Sequence, residues 1–222
     1  MTAQSAPRFP KTCLYFGTFN PIHAGHLMIA QAALQQFGRE LDFTTVSFIP
    51  AGNPPHRATE EDLLDARRRY RMVRLATADN PAFQVWDVEV ARPGFSYTVD
   101  TVRHLIEQEL VQAPVPLIIG ADALLGLPSW YQPAQLAEQV LFLQAPRPDS
   151  TMVQAIQCGS KTISLNTRTI DMPSLAISSS WVRRMVRKIY QESADAGAGM
   201  DSLRYYLPEP VRLFIQANRL YC

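Results

Sequence analysis

The chain has 222 residues, 47% of them hydrophobic and 18% charged, with basic and acidic side chains balanced at a formal charge of +1. That length suits one sizeable domain with its own core, and the near-neutral balance excludes the global field of a polyanion-coating protein, so a polyphosphate must be met locally. The cysteines Cys13, Cys158 and Cys222 are odd in number, widely spaced and in no C-x-x-C or His/Cys cluster, which argues against a disulfide framework and a structural zinc and fits a reducing cytoplasm. Residues 1–11, MTAQSAPRFPK, contain no apolar signal segment, and no later run approaches the length of a membrane span. We expect a soluble, unprocessed, cytoplasmic protein with neither a membrane nor a nucleic-acid partner.

Short apolar runs alternate with helical spacings along the chain. Residues 14–16 form the first run and are followed by Leu27, Ala30, Leu34 and Phe37 at helical spacing, closed by Gly38. A second run at 46–49 precedes Leu63, Ala66, Tyr70 and Val73, again helical; a third, at 83–90, alternates as a strand does. Thr98 opens a helix ending near Leu110, and runs at 115–119 and 140–143 complete the predicted strands. Serines 178–180 open a helix carrying Arg183, Arg184, Arg187 and Lys188, and a last helix lies within 206–221. Between these two, QESADAGAGMDS at 191–202 is small and polar and reads as a flexible surface insert. Strand alternating with helix implies right-handed crossovers. The predicted fold is therefore a single α/β domain over 1–222, a Rossmann-like doubly wound, mostly parallel sheet with helices on both faces and a helical C-terminal part from about 178. Such sheets bind ligands beyond the carboxyl ends of their strands.

The stretch CLYFGTFNPIHAGHL at 13–27 falls on that edge, where the first strand turns into the first helix. Gly17 would allow a phosphate close to the backbone, and the new helix presents N–H groups and a positive dipole end. His23 and His26 stand three apart on one helix face, with Gly25 between them leaving room for a nucleotide. A single histidine here would read as a cap or a core residue; two after a strand-end glycine point to phosphate chemistry. Zinc needs a third protein ligand, and Asn20, His56 and His104 supply no recognisable spacing, so no protein metal site is expected. Ser178, Ser179 and Ser180 are N-cap candidates and hydroxyl donors. Arg183 follows in the first turn, where positive charge opposes the helix dipole; a phosphate clamp explains it better than stability does. Arg184, Arg187 and Lys188 read as a solvated face.

GTFNPIHAGHL resembles the G-x-F-x-P-x-H-x-G-H signature of the nucleotidylyltransferase superfamily, and ISSSWVR at 177–183 resembles its second nucleotide motif. IPAGNPPHR at 49–57, SYTVDT at 96–101, GADALLGLPSWYQ at 120–132, APRP at 145–148 and YLPEPVRLFIQANRLY at 206–221 are similar to elements of the nicotinate-mononucleotide adenylyltransferase branch. Asn20 stands where many members have aspartate, and the 191–202 insert lengthens the link to the last helix.

The resemblance implies attack by the phosphate of nicotinate mononucleotide on the α-phosphorus of ATP, with Mg2+ carried by the ATP. It assigns His23, His26 and Arg183 to catalysis, and Gly17, Thr18, Phe19, Gly25, Ser179 and Ser180 to ATP. Asn53, His56, Arg57, Thr98, Asp122 and Trp130 fall to the mononucleotide, with Trp130 stacking on the pyridine ring. Plainer roles stand beside these: a stiff diproline turn tipped by His56 and Arg57, core packing for Trp130, N-capping for Thr98, and a turn for Asp122. Pantetheine-phosphate adenylyltransferase would share the two histidines but not the SYT and Trp130 elements. A class I aminoacyl-tRNA synthetase would need an anticodon-binding region and a KMSKS-like loop. A nucleotide-sensing regulator would bind dinucleotide without turnover. A homo-oligomer is compatible with the sequence.

Overall fold

A computed structural model describes residues 11–54, 62–146, 151–192 and 199–222. The strands are β1 (Thr12–Gly17), β2 (Thr45–Pro50), β3 (Phe83–Val85), β4 (Val115–Gly120), β5 (Val140–Ala145), β6 (Ala155–Cys158), β7 (Lys161–Ser164) and β8 (Thr167–Thr169). The helices among the described residues are α1 (Ala24–Phe37), α2 (Ala66–Thr77), α3 (Thr98–Glu107), α4 (Ala121–Leu125), α5 (Pro133–Gln139), α6 (Ser179–Glu192) and α7 (Glu209–Ala217). Six strands form one sheet in the order β3-β2-β1-β4-β5-β8, and each neighbouring pair is parallel. This is the doubly wound Rossmann-like arrangement expected from the sequence. Its winding reverses between β1 and β4, which opens a crevice at their carboxyl ends.

Alternation along the strands sorts the core into two layers. Cys13, Tyr15, Val46, Phe48, Ile118 and Leu143 face the side covered by α1, α2, α6 and α7, where Ala30, Met72, Val182 and Val211 meet them. Leu14, Ile49, Leu117, Ile119 and Phe142 face the other side, with Val102 and Leu105 of α3, Leu124 of α4 and Leu136 of α5. Burial on both faces explains why these strands read as continuous apolar runs.

Three parts of the sequence reading are corrected. The third strand ends at Val85 rather than residue 90, because the chain turns there and Glu89 is buried at 2% exposure. The alternating valines past Val85 mimic a strand, but Glu89 is drawn inward by hydrogen bonds. The β6–β7 antiparallel hairpin, β8 and α5 were not anticipated, being only three to seven residues long and lacking strong periodicity. The 191–202 insert is shorter than expected: α6 runs to Glu192, and Met200 and Leu203 are buried in the core, while 193–198 lie outside the described residues.

Candidate active site

The carboxyl ends of β1 and β4 open into a cavity of about 1150 Å³. Gly17, Thr18, Phe19, His23, Gly25 and His26 line it from the β1–α1 turn, and Ser179, Ser180 and Arg183 from the start of α6. Thr98, Asp122 and Trp130 line the opposite wall. Twelve of the fifteen site residues read from the sequence therefore meet in one space. Asn53 is not among the lining residues; its carbonyl accepts the Ser96 N–H at 3.2 Å. His56 and Arg57 lie outside the described residues.

The β1–α1 turn is organised around its two imidazoles. His23 is the N-cap of α1 and is buried, while His26, one turn on, is half-buried. Their rings lie 3.8 Å apart at 32°, close enough that two imidazolium charges would repel. The His23 backbone N–H donates to His26 Nδ1 at 3.2 Å. Nδ1 is thereby an acceptor, and the ring proton of the neutral imidazole sits on Nε2. His26 thus offers an N–H donor on a ring that lines the cavity.

Phe19, at φ 48°, folds its ring back over Gly17, where a Cβ would come within 2.6 Å of it. The glycine is required by this ring rather than by a ligand alone. Phe19 also meets His26 edge-on at 5.1 Å, so it fixes the imidazole from behind. At Gly25 a Cβ would meet Ile177 at 2.8 Å and the His23 ring at 3.1 Å, so this glycine lets α1 approach the strand-to-α6 segment. The Ala24 N–H is occupied by the Tyr206 carbonyl at 2.9 Å, leaving fewer helix-start donors for an anion than an open N-terminus would offer.

At the second turn Ser178 is the side-chain cap: its Oγ accepts the Trp181 N–H at 3.2 Å. Ser179 donates its hydroxyl to the Pro21 carbonyl at 2.8 Å and so ties the two cavity-lining turns together. Ser180 Oγ lies 3.2 Å from Ser178 Oγ. Arg183 opens the second turn of α6, not the first as the sequence suggested, because the helix begins at Ser179. Its NH1 donates to the Asn20 carbonyl at 2.9 Å, and its Nε stands 3.8 Å from Asp62 Oδ2. Arg187 pairs with the same carboxylate at 2.5 Å, so it is not simply solvated; Arg184 and Lys188 are exposed as expected.

The far wall is aromatic and donor-rich. Thr98 is the first residue of α3 rather than its cap; the cap is Tyr97, whose side chain makes no capping bond. Among the described residues no side chain caps the start of α3, and the Asp100 N–H is taken by the Tyr97 carbonyl at 3.1 Å. Trp130 is half-buried against the α3–α5 layer and lines the cavity, and beside it the Tyr97 and Tyr131 rings meet at 4.6 Å. Asp122 sits in the first turn of α4, its carbonyl accepting the Gly126 N–H.

Several residues of the site were missed in the sequence. Tyr131 adjoins Trp130 and could have been suspected on that ground. Asn20, to which the sequence gives no site role, is a junction: its Oδ1 accepts from Tyr221 OH at 2.9 Å and Leu64 N–H at 3.3 Å, and its Nδ2 donates to the Asp62 carbonyl at 2.9 Å. Arg69 and Glu89, buried at 1% and 2% exposure, hold the turns from below. Nothing in the run ARRRYRMVRLAT marks Arg69 apart from its neighbours.

Residues 14–185 match the family described as Cytidylyltransferase-like. A protein of Synechococcus sp. named "Probable nicotinate-nucleotide adenylyltransferase" is 37% identical over 206 residues, covering 92% of this chain and 94% of its own. One of the same name from Symbiobacterium thermophilum is 38% identical over 209 residues, covering 92% of each chain. Among solved structures, Plasmodium falciparum nicotinic acid mononucleotide adenylyltransferase complexed with NaAD superposes with a TM-score of 0.70 over 96% of this chain and 97% of that one; at 16% identity this is a likeness of fold. Sequence match and motif geometry agree: the chain belongs to the cytidylyltransferase-like family and, within it, to the nicotinate-nucleotide adenylyltransferases.

Proposed function

We infer that the chain transfers the adenylyl group of ATP to nicotinate mononucleotide, giving nicotinate adenine dinucleotide and pyrophosphate for NAD biosynthesis. The observation that carries this reading is the convergence of both ligand-facing turns and the Thr98–Trp130 wall on one cavity at the reversal of the sheet. A phosphate monoester, with a second pKa of about 6, is largely dianionic at neutral pH, so the nucleophile needs no general base. The work of the site is positioning and charge stabilisation. His26 donates from Nε2 to the α-phosphate as negative charge develops there, with His23 stacked behind it. Gly17, Thr18, Phe19 and Gly25 shape the ATP side; Ser180 and Arg183 face the departing pyrophosphate, and Ser179 holds their helix to the β1–α1 turn. No covalent enzyme intermediate forms.

Magnesium enters as part of the ATP substrate. Among the described residues no three His, Cys, Asp or Glu side chains converge as a cation site, so phosphate oxygens and water would supply its ligands. On the mononucleotide side, Trp130 stacks on the pyridine ring beside Asp122, and the family resemblance assigns Asn53, His56 and Arg57 to the same substrate. The first N–H groups of α3, with Thr98, receive the nicotinate carboxylate. An amide would turn its NH₂ toward these donors, which gives selectivity for the acid. No described helix is long and apolar enough to cross a membrane, and the cysteines are free; we assign the enzyme to the cytoplasm.

The test is a panel of acceptors with ATP and Mg2+: nicotinate mononucleotide, nicotinamide mononucleotide and phosphopantetheine. The acid should give dinucleotide and pyrophosphate in equal amounts with the highest kcat/KM, and Thr98→Val with Trp130→Leu should erode that preference. Equal use of the amide, or a preference for phosphopantetheine, would overturn the substrate assignment.

A further inference from the structure

Arg69 is a charged side chain with 1% exposure, on the fourth residue of α2 and behind the cavity rather than in it. Its Nε donates to the Leu64 carbonyl at 2.8 Å, Nη1 to the Thr18 carbonyl at 2.9 Å and Nη2 to the Gly52 carbonyl at 2.7 Å. These carbonyls belong to three segments. Thr18 is in the β1–α1 turn that faces ATP, Gly52 follows β2 and leads to Asn53, and Leu64 precedes α2. Gly52 is gripped from its other side as well: its N–H faces Glu89 Oε2 at 3.4 Å, and a Cβ on it would come within 2.1 Å of the Glu89 carbonyl. Glu89 Oε1 in turn accepts the Thr101 hydroxyl at 2.8 Å, which carries the connection to α3.

A guanidinium buried for stability alone is a poor choice, since apolar replacements of similar volume are often neutral or stabilising. What a planar fork does, and an apolar chain cannot, is fix the distance between two backbone carbonyls. The two carbonyls joined by Nη1 and Nη2 sit on the β1–α1 turn, which lines the cavity, and on the segment after β2, which the proposed function gives to the acceptor. Neither Nη1 nor Nη2 needs a ligand to complete this bridge.

We propose that Arg69 is a positioning residue for the transfer reaction: its fork, with Glu89 closing on Gly52 from the opposite side, holds the ATP turn and the acceptor loop in register, so that nucleophile and α-phosphorus meet in line. This rests on the two-substrate reading above. Each loop still binds its own substrate when the fork is lost, but the alignment between substrates is no longer set. The loss therefore falls on kcat and spares KM.

The experiment measures kcat and both KM values for Arg69→Lys, Arg69→Met and Glu89→Gln, with kcat counted per folded molecule by near-UV circular dichroism. Lysine keeps the charge but cannot bridge the two carbonyls as the fork does. Both Arg69 variants should lose about 100-fold in kcat, with KM for ATP and acceptor within about threefold of wild type. Glu89→Gln should show the same split at smaller size. A purely structural role would reduce the folded fraction and leave kcat per folded molecule unchanged. Arg69→Lys with kcat within about threefold of wild type, or a loss confined to KM, overturns the proposal. If the Arg69 variants do not fold, Glu89→Gln decides: a kcat loss at constant KM supports the clamp, and normal kinetics overturns it. Wild-type enzyme inactive on nicotinate mononucleotide would defeat the substrate reading instead, and the variants would then be compared on whichever acceptor of the panel the wild type uses.

Discussion

In the proposed reaction His26 is the donor to the α-phosphate, and that role depends on one backbone bond. Because Nδ1 accepts the His23 N–H, Nε2 is left as donor, and Phe19 holds the ring edge-on. His26→Ala should lower turnover by about two to three orders of magnitude, the scale of a lost transition-state donor. The cost in stability should be small, about 1 kcal/mol for the His23 N–H left without its acceptor. Steady-state kinetics beside a thermal melt checks both, and near-normal turnover in folded His26→Ala would remove it from the chemistry. The position of the histidine pair was legible in the sequence because it stands at a strand-to-helix turn at the edge of the sheet. Arg69 was not legible: burial selects one arginine from a run of similar ones, and only the packed sheet shows which.

Between elements, the buried carboxylate of Glu89 joins the Gly52 loop, the chain after β3 and α3. Burial raises its pKa above the ordinary value of 4.5, against the lowering effects of the Thr101 hydroxyl, the Gly52 N–H, Arg92 and Arg69. The folded state therefore holds this proton more tightly than the unfolded chain does. Its contribution is most favourable at acid pH and is lost as pH rises from the ordinary glutamate value through the raised one. Glu89→Gln removes this titration. The melting temperature of wild type minus that of Glu89→Gln should fall as the pH rises above the ordinary glutamate range. A difference that grows with pH would mean that pairing, not burial, dominates the site. The same residue explains why the third strand was overread, since a valine–glutamate alternation looks like a half-solvated strand until the glutamate turns inward. The central strands were legible because they are buried on both faces; the β6–β7 hairpin and β8 owe their shape to tertiary pairing that short sequences do not announce.

At the scale of the whole molecule, the sheet order puts β1 and β4 side by side, and their carboxyl ends carry the two walls of one cavity. Residues more than 150 positions apart are brought into contact there: Ser179 on Pro21, Arg183 on Asn20 and Tyr221 on Asn20. The C-terminal segment thus braces the turn that lines the cavity. The sequence showed both turns but not this bracing, because hydroxyl and amide side chains have many possible partners before the chain is folded.

The proposed reaction joins an oxygen of the acceptor's phosphate to the α-phosphorus of ATP, with pyrophosphate as the leaving group and both substrates held in this cavity. It is tested by running the reaction with nicotinate mononucleotide whose phosphate oxygens are labelled with ¹⁸O and weighing the products. The label should stay wholly in the dinucleotide, including its bridging oxygen, and the pyrophosphate should be unlabelled and equal in amount to the dinucleotide. Label in the pyrophosphate, or AMP or ADP released in its place, would contradict it.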